Sequence, residues 1–164
     1  MRLVVQDANI IIDLIDCEIF ELFFRLDLEV VTTSLVLGEI SEASQKKRCE
    51  AVVRKKMLHV VEISTIEFLQ LQALEMPGLK VADRSVLKLA EMRQASLLTG
   101  DGKLRKTAEN LNVEVRGTLW IFDQLVKSGL LPKAEAHGKL SDLRERNQRL
   151  PNAEIEKRLR AWGA

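Results

Sequence analysis

Arg2-Leu3-Val4-Val5-Gln6-Asp7-Ala8-Asn9-Ile10-Ile11-Ile12-Asp13-Leu14-Ile15-Asp16 is the stretch on which the fold turns. Arg2–Gln6 is a short β-branched run and reads as a buried strand. Asp7 ends it. Apolar residues at 10, 11, 12, 14 and 15 then give Asn9–Asp16 the pattern of a buried helix. A strand thus hands the chain to a helix through one carboxylate.

The alternation continues downstream. Cys17–Arg25 reads as a second helical stretch and Leu28–Val31 as the next strand. Thr32-Thr33-Ser34 supplies an N-cap for a helix running toward a basic stretch. Leu58–Ile63 reads as a third strand, and Ser64 with Glu67 forms a capping-box pattern. Met76-Pro77-Gly78 is a break, followed by a helix carrying Val86, Leu87, Leu89, Ala90 and Met92. Ser96–Thr99 is a fourth strand, Gly100-Asp101-Gly102 a turn, Lys103–Asn112 a helix, Val113–Val115 a fifth strand and Thr118–Lys127 a helix. After Pro132 come two helical pieces split by Leu150-Pro151-Asn152. The expectation is an α/β sandwich around a parallel sheet over residues 1–130. Residues 131–164 are expected as a helical C-terminal extension packed on the same domain.

Composition narrows the function classes. With 164 residues, 46% hydrophobic and 30% charged, the chain is a globular domain and not a disordered one. Apolar stretches are only a few residues long, so no bilayer span and no membrane association are expected. Asp7 comes too early for a secretory signal, and Cys17 and Cys49 make no disulfide scaffold, so a reduced, cytoplasmic protein is expected. Cys17, Cys49, His59 and His137 lack the paired spacing of a zinc site. The net charge of +1 hides an uneven distribution. Residues 1–44 carry nine Asp/Glu against two Lys/Arg. Lys46, Lys47, Arg48, Arg54, Lys55 and Lys56 then face only Glu50. That run is either a solvated helix face or a phosphate-binding rim for nucleic acid. Five Phe, two Trp and no Tyr argue against a stacking platform for single strands.

Four carboxylates resist a bland account. Asp7 follows the first strand and Asp101 the fourth, at the strand ends where open α/β sheets keep their chemistry. Asp83 approaches the same edge through Lys80-Val81-Ala82. Each of the three also suits a helix cap. Glu39 shares a helical face with Leu35, Val36 and Ala43, where a lone charge needs a partner, a metal or water. Four acids at one edge repel one another unless something positive sits among them. Mg²⁺ or Mn²⁺ suits an all-oxygen set and can activate a water for phosphodiester cleavage.

Val4-Val5-Gln6-Asp7-Ala8-Asn9, Leu37-Gly38-Glu39-Ile40, Ala82-Asp83-Arg84-Ser85-Val86-Leu87-Lys88-Leu89-Ala90 and Leu97-Leu98-Thr99-Gly100-Asp101 resemble, in order and spacing, the four acidic motifs of PIN-domain nucleases, to which the VapC-type toxins belong. The resemblance covers about residues 2–127, and the tail looks like the extension of a PIN subgroup. It implies a three-layer sandwich with a five-stranded parallel sheet and a Mg²⁺- or Mn²⁺-dependent endoribonuclease. It implies an RNA substrate, an antitoxin partner and a homodimer. Asp7, Glu39, Asp83 and Asp101 would be catalytic and bind the metal, with Asn9 and Thr99 in support. Gly100 and Gly102 depart from the pattern by flanking the last acid with two flexible residues.

Two other readings stay open. Thr99-Gly100-Asp101-Gly102 also resembles a haloacid-dehalogenase-type phosphatase, but Asn9 stands where that chemistry needs an acid. A catalytically silent module that binds RNA or protein is the other. Ile10–Phe24, apolar on more than one face, would belong to the surface for an antitoxin or a second subunit.

Overall fold

In the computed structural model, which describes residues 2–163, β1 (Arg2–Gln6) passes through Asp7 into α1 (Ala8–Asp16) and a single further turn, α2 (Phe20–Phe23). The chain continues as β2 (Leu28–Thr33), α3 (Ser34–Glu39), α4 (Ala43–Arg54), β3 (Leu58–Val61), α5 (Thr65–Gln72) and α6 (Val81–Arg93). It goes on to β4 (Ser96–Leu98), α7 (Gly102–Asn110), β5 (Val115–Arg116) and α8 (Thr118–Lys127), and ends in α9 (Lys133–Arg146) and α10 (Asn152–Trp162). The strands form one parallel sheet of order β3-β2-β1-β4-β5. β1 is central, with Val4 opposite Val30 of β2 and Ser96 of β4. Val4, Val5, Val30, Val31, Leu97 and Leu98 are inaccessible to solvent, as strands covered on both faces require. From β1 the chain adds strands on one side through β3, then crosses back to place β4 on the other. The strand order therefore reverses between β1 and β4, and a crevice opens at their carboxyl ends.

The sequence reading of Ser34 onward as one helix is wrong. α3 stops at Glu39, Ile40 is extended (φ −86°, ψ 98°) and buried, and Glu42 starts α4 by accepting from the Ser44 and Gln45 amides at 3.0 and 2.9 Å. Gly38 weakens the last turn of α3, while the Glu42 cap favours a fresh start. Glu39 and Ala43 therefore share no helix face, and Glu39 is exposed instead of lying on an apolar stripe. The helix expected over Cys17–Arg25 shrinks to Phe20–Phe23, because Glu18 adopts a left-handed conformation (φ 59°) that no helix continues. The fifth strand lies at Val115–Arg116, after the left-handed Asn112 (φ 60°).

The apolar surplus of Ile10–Phe24 is used inside the molecule. Ile10, Ile11, Leu14, Ile19, Phe20 and Phe23 are all fully buried, which accounts for both faces without a partner. Burial of each such side chain contributes about 2 kcal/mol. The tail joins the same core: Trp162 packs on Phe122 of α8 with ring centroids 6.2 Å apart. Arg158 of α10 makes two hydrogen bonds to Asp123 of α8, at 2.8 and 2.7 Å. Trp120 is half-buried, with the Arg2 guanidinium 5.9 Å from its ring centroid. Among the described residues no helix is long and apolar enough to cross a membrane.

Candidate metal-binding nuclease site

Three helix N-termini converge on the carboxyl edge of the sheet, and each holds one of the acids. Asp7 Oδ1 accepts from the Ile10 amide at 2.8 Å, at the start of α1. Asp101 Oδ1 accepts from the Leu104 amide at 2.9 Å, at the start of α7. Asp83, in the first turn of α6, accepts from the Lys80 amide at 3.3 Å through Oδ2. The cap and the chemical role are therefore compatible: the helix engages one oxygen and orients the other. The positive ends of the helices also offset part of the repulsion among the acids.

Asp7 is the most constrained. It is 1% exposed, and its second oxygen accepts from the Thr99 hydroxyl. Thr99 Oγ1 in turn accepts from the Asp101 amide at 3.0 Å, so one side chain links the first and last acids. Burial pushes the Asp7 carboxyl up to about 7, and the charges of Asp83 and Asp101 push the same way against the lowering effect of its hydrogen bonds. Asp83 is raised by burial and by Asp101. Glu39 is raised by burial and by Asp83, while Lys80 pulls it down. Electrostatically, then, Asp7, Asp83 and Asp101 form one group, and Glu39 joins it through Asp83. Among the described residues, no group of three His, Cys, Asp or Glu side chains is arranged to hold a metal ion as it stands. The donor set is all oxygen, as a hard divalent cation requires.

Asn9 lies half-buried in the first turn of α1 and makes no hydrogen bond to Asp7. The sequence-predicted basic run is spread along the length of α4, with Lys46 and Lys47 near its start and Arg54 at its end. α4 descends from the carboxyl edge, and Arg54, Lys55 and Lys56 come just before β3, whose start lies about 10 Å below that edge at 3.3 Å per residue. Arg48 is engaged by Glu21 through a 3.0 Å bond from Nε. Lys46 lines a small groove with Leu37 and Ile40.

Two features went unread in the sequence. Thr33, which caps α3 through the Val36 amide at 3.3 Å as its sequence suggested, also lies 2.7 Å from Ser85 Oγ of α6, an unannounced tie between β2 and the helix that carries Asp83. Asp13 is 8% exposed, accepts from the Thr118 hydroxyl at 3.4 Å and lies against Gly100. Its place within the apolar run Ile10–Ile15 was the available signal.

The sequence matches the PIN domain family (DUF3368) over residues 3–164. The chain belongs to the PIN-domain family, whose members are in general nucleases. That membership leaves no place for the phosphatase reading. No curated protein matches the sequence. Among solved structures, a PilT N-terminus domain protein from the hyperthermophilic archaeon Sulfolobus solfataricus P2 is similar at 14% identity and a TM-score of 0.47, over 77% of this chain and 92% of that one. VapBC2 from Rickettsia felis, bound to a DNA fragment from its promoter, is similar at 18% identity and a TM-score of 0.46, over 70% of this chain and 98% of that one.

Proposed function

We propose that the protein is a metal-dependent endoribonuclease and the toxin of a toxin–antitoxin pair, acting in the cytoplasm. The observation that carries the chemistry is the meeting of Asp7, Asp83 and Asp101 at three helix N-termini, with Asp7 buried and destabilised as an anion. Asp7, Glu39, Asp83 and Asp101 would hold one or more Mg²⁺ or Mn²⁺ ions. Such an ion would supply an acidified water and positive charge for the phosphoryl oxygens. Thr99 fixes the Asp7 carboxylate and aligns it with Asp101. Exposed Glu39 closes the set from the end of α3. The toxin reading is supported by the motif resemblance to VapC-type toxins, with a small antitoxin as partner and a homodimer as the assembly.

The test is cleavage of labelled single-stranded RNA in EDTA, in Mg²⁺ and in Mn²⁺. Cleavage is expected only with metal and is abolished in Asp7→Asn, whose amide still caps α1. Wild type should also melt higher in Mn²⁺, by about 2.7 kcal/mol at a hundredfold excess over Kd, and Asp7→Asn should lose most of that gain. Undiminished cleavage in EDTA overturns the metal role. RNA binding without cleavage in any metal supports the silent module instead, a reading favoured by the lack of a preformed three-residue metal group among the described residues.

A further inference from the structure

Three cations that form no ion pair among the described residues border the acidic edge on the α6–α7 side. Lys80 precedes α6, is exposed, and lies close enough to Glu39 and Asp83 to act on both electrostatically. Lys103 follows Asp101 by two residues, and its stem crosses Gly78: a methyl at that glycine would meet Lys103 Cδ at 3.1 Å. Gly78 has φ +82°, so a side chain is disfavoured there on two counts, and the crossing stays open to the lysine. Arg105 leaves the same helix one turn after Asp101, its amide donating to the Asp101 carbonyl at 2.9 Å. Its guanidinium reaches the carboxyl end of β5, where a methyl on Gly117 would lie 3.3 Å from Arg105 Nη2 and 3.5 Å from the Thr99 carbonyl. The arginine is half-buried and makes no side-chain hydrogen bond among the described residues.

From these positions we infer that Lys80, Lys103 and Arg105 form the phosphate track along which a single RNA strand crosses the acids. The track runs over the starts of α6 and α7, and Arg54, Lys55 and Lys56 at the far end of α4 lie off it. This rests on the nuclease reading. Three facts argue for this side. The cations are interleaved with the acids in space: Lys80 beside Asp83 and Glu39, Lys103 and Arg105 just beyond Asp101. They lie at the level of the reacting groups, whereas Arg54, Lys55 and Lys56 lie near the opposite edge of the sheet. None of the three is held in an ion pair among the described residues, so each is available to a phosphate. A strand lying here passes its backbone from one positive charge to the next with the acids beneath one phosphodiester. Phosphate contacts of this kind set position and register and leave sequence choice to other groups.

The experiment is the salt dependence of binding of a fluorescein-labelled 12-nucleotide single-stranded RNA, followed by anisotropy in EDTA so that cleavage does not compete. Three phosphate contacts in a single strand should contribute about 2 to the slope of log K against log salt. The triple variant Lys80→Gln/Lys103→Gln/Arg105→Gln should lower the slope by that amount. Arg105→Lys alone should restore one contact's share in that background. Arg54→Gln/Lys55→Gln/Lys56→Gln should leave the slope unchanged. Wild type also serves directly: saturating RNA should protect Lys80 and Lys103, but not Lys55 or Lys56, from amine acetylation. An unchanged slope in the triple variant, or protection of Lys55 and Lys56 in place of Lys80 and Lys103, overturns the track while leaving a nuclease intact. Wild type that binds no RNA overturns the nuclease reading, and the track falls with it.

Discussion

Asp7 carries two obligations that pull in opposite directions. As a cap it favours the ionised form, and as a buried member of an acidic group it favours the neutral one. The second wins, with the carboxyl near 7 against an ordinary 3.8. In the metal-free protein the folded state therefore keeps a proton that the unfolded chain gives up. Stability from this group is fully present below about 3.8 and is lost as pH rises through about 7. The full span corresponds to roughly 4 kcal/mol. Asp83 and Glu39, also raised, add to the same trend. Urea melts in EDTA across that range should show wild type weakening as pH rises and Asp7→Asn staying flatter. Above pH 7 Asp7→Asn should be the more stable of the two, and Mn²⁺ should reverse the order. A wild-type profile as flat as that of Asp7→Asn would show that Asp7 is an ordinary cap.

At the scale of elements, the segment that delivers Asp83 is held by one side chain. Arg84 donates from Nη1 to the carbonyls of Leu71, Gln72 and Leu74, from Nη2 to Met76 and from Nε to Leu79, all within 3.0–3.1 Å. A flexible loop between α5 and α6 becomes a fixed one, and the first turn of α6 is fixed with it. Lysine cannot reproduce this fork. Arg84→Lys should cost about 3 kcal/mol, since several charged hydrogen bonds go at once. It should also expose residues 72–79 to limited proteolysis before the rest of the chain. Equal protection of that segment in both proteins would contradict the assignment. This pinning was not legible in the sequence, because it depends on five carbonyls that no side chain announces. The strands, the helices and the ordered carboxylates were legible, because β-branched runs, the 3.6-residue period and caps act locally. The break at Ile40–Ser41 was not, because Leu35–Ala43 keeps a helical period across it. Only the competition between Gly38 and the Glu42 cap decides that point. Nor did the charge run reveal that Arg54, Lys55 and Lys56 come just before β3, low on the sheet, which depends on where β3 begins.

For the molecule as a whole, the tail shares the core of the sheet domain. Trp162 and Phe122 are in contact, and Ile155, Leu143 and Leu140 belong to the same buried cluster as Val4 and Leu97. Arg144 pairs with Glu156 across the α9–α10 hairpin, and Arg158 with Asp123. Trp162→Ala should therefore cost about 3 kcal/mol. The loss should appear as a lower midpoint of a single transition, followed by both circular dichroism and tryptophan fluorescence from Trp120. Two separate transitions would mean that the tail melts on its own.

The placement of β4 beside β1 has a consequence during synthesis. Ribosomes release the amino end first, so Asp7 emerges long before Asp101, and Val4 cannot meet Ser96 until the intervening strands and helices have been made. Pairings so distant along the chain form late. Thr99, which bridges the first acid to the last, arrives with the late strand. A nascent chain therefore carries the acids as scattered residues. They become one group only when β4 docks beside β1 and brings Thr99 and Asp101 to Asp7.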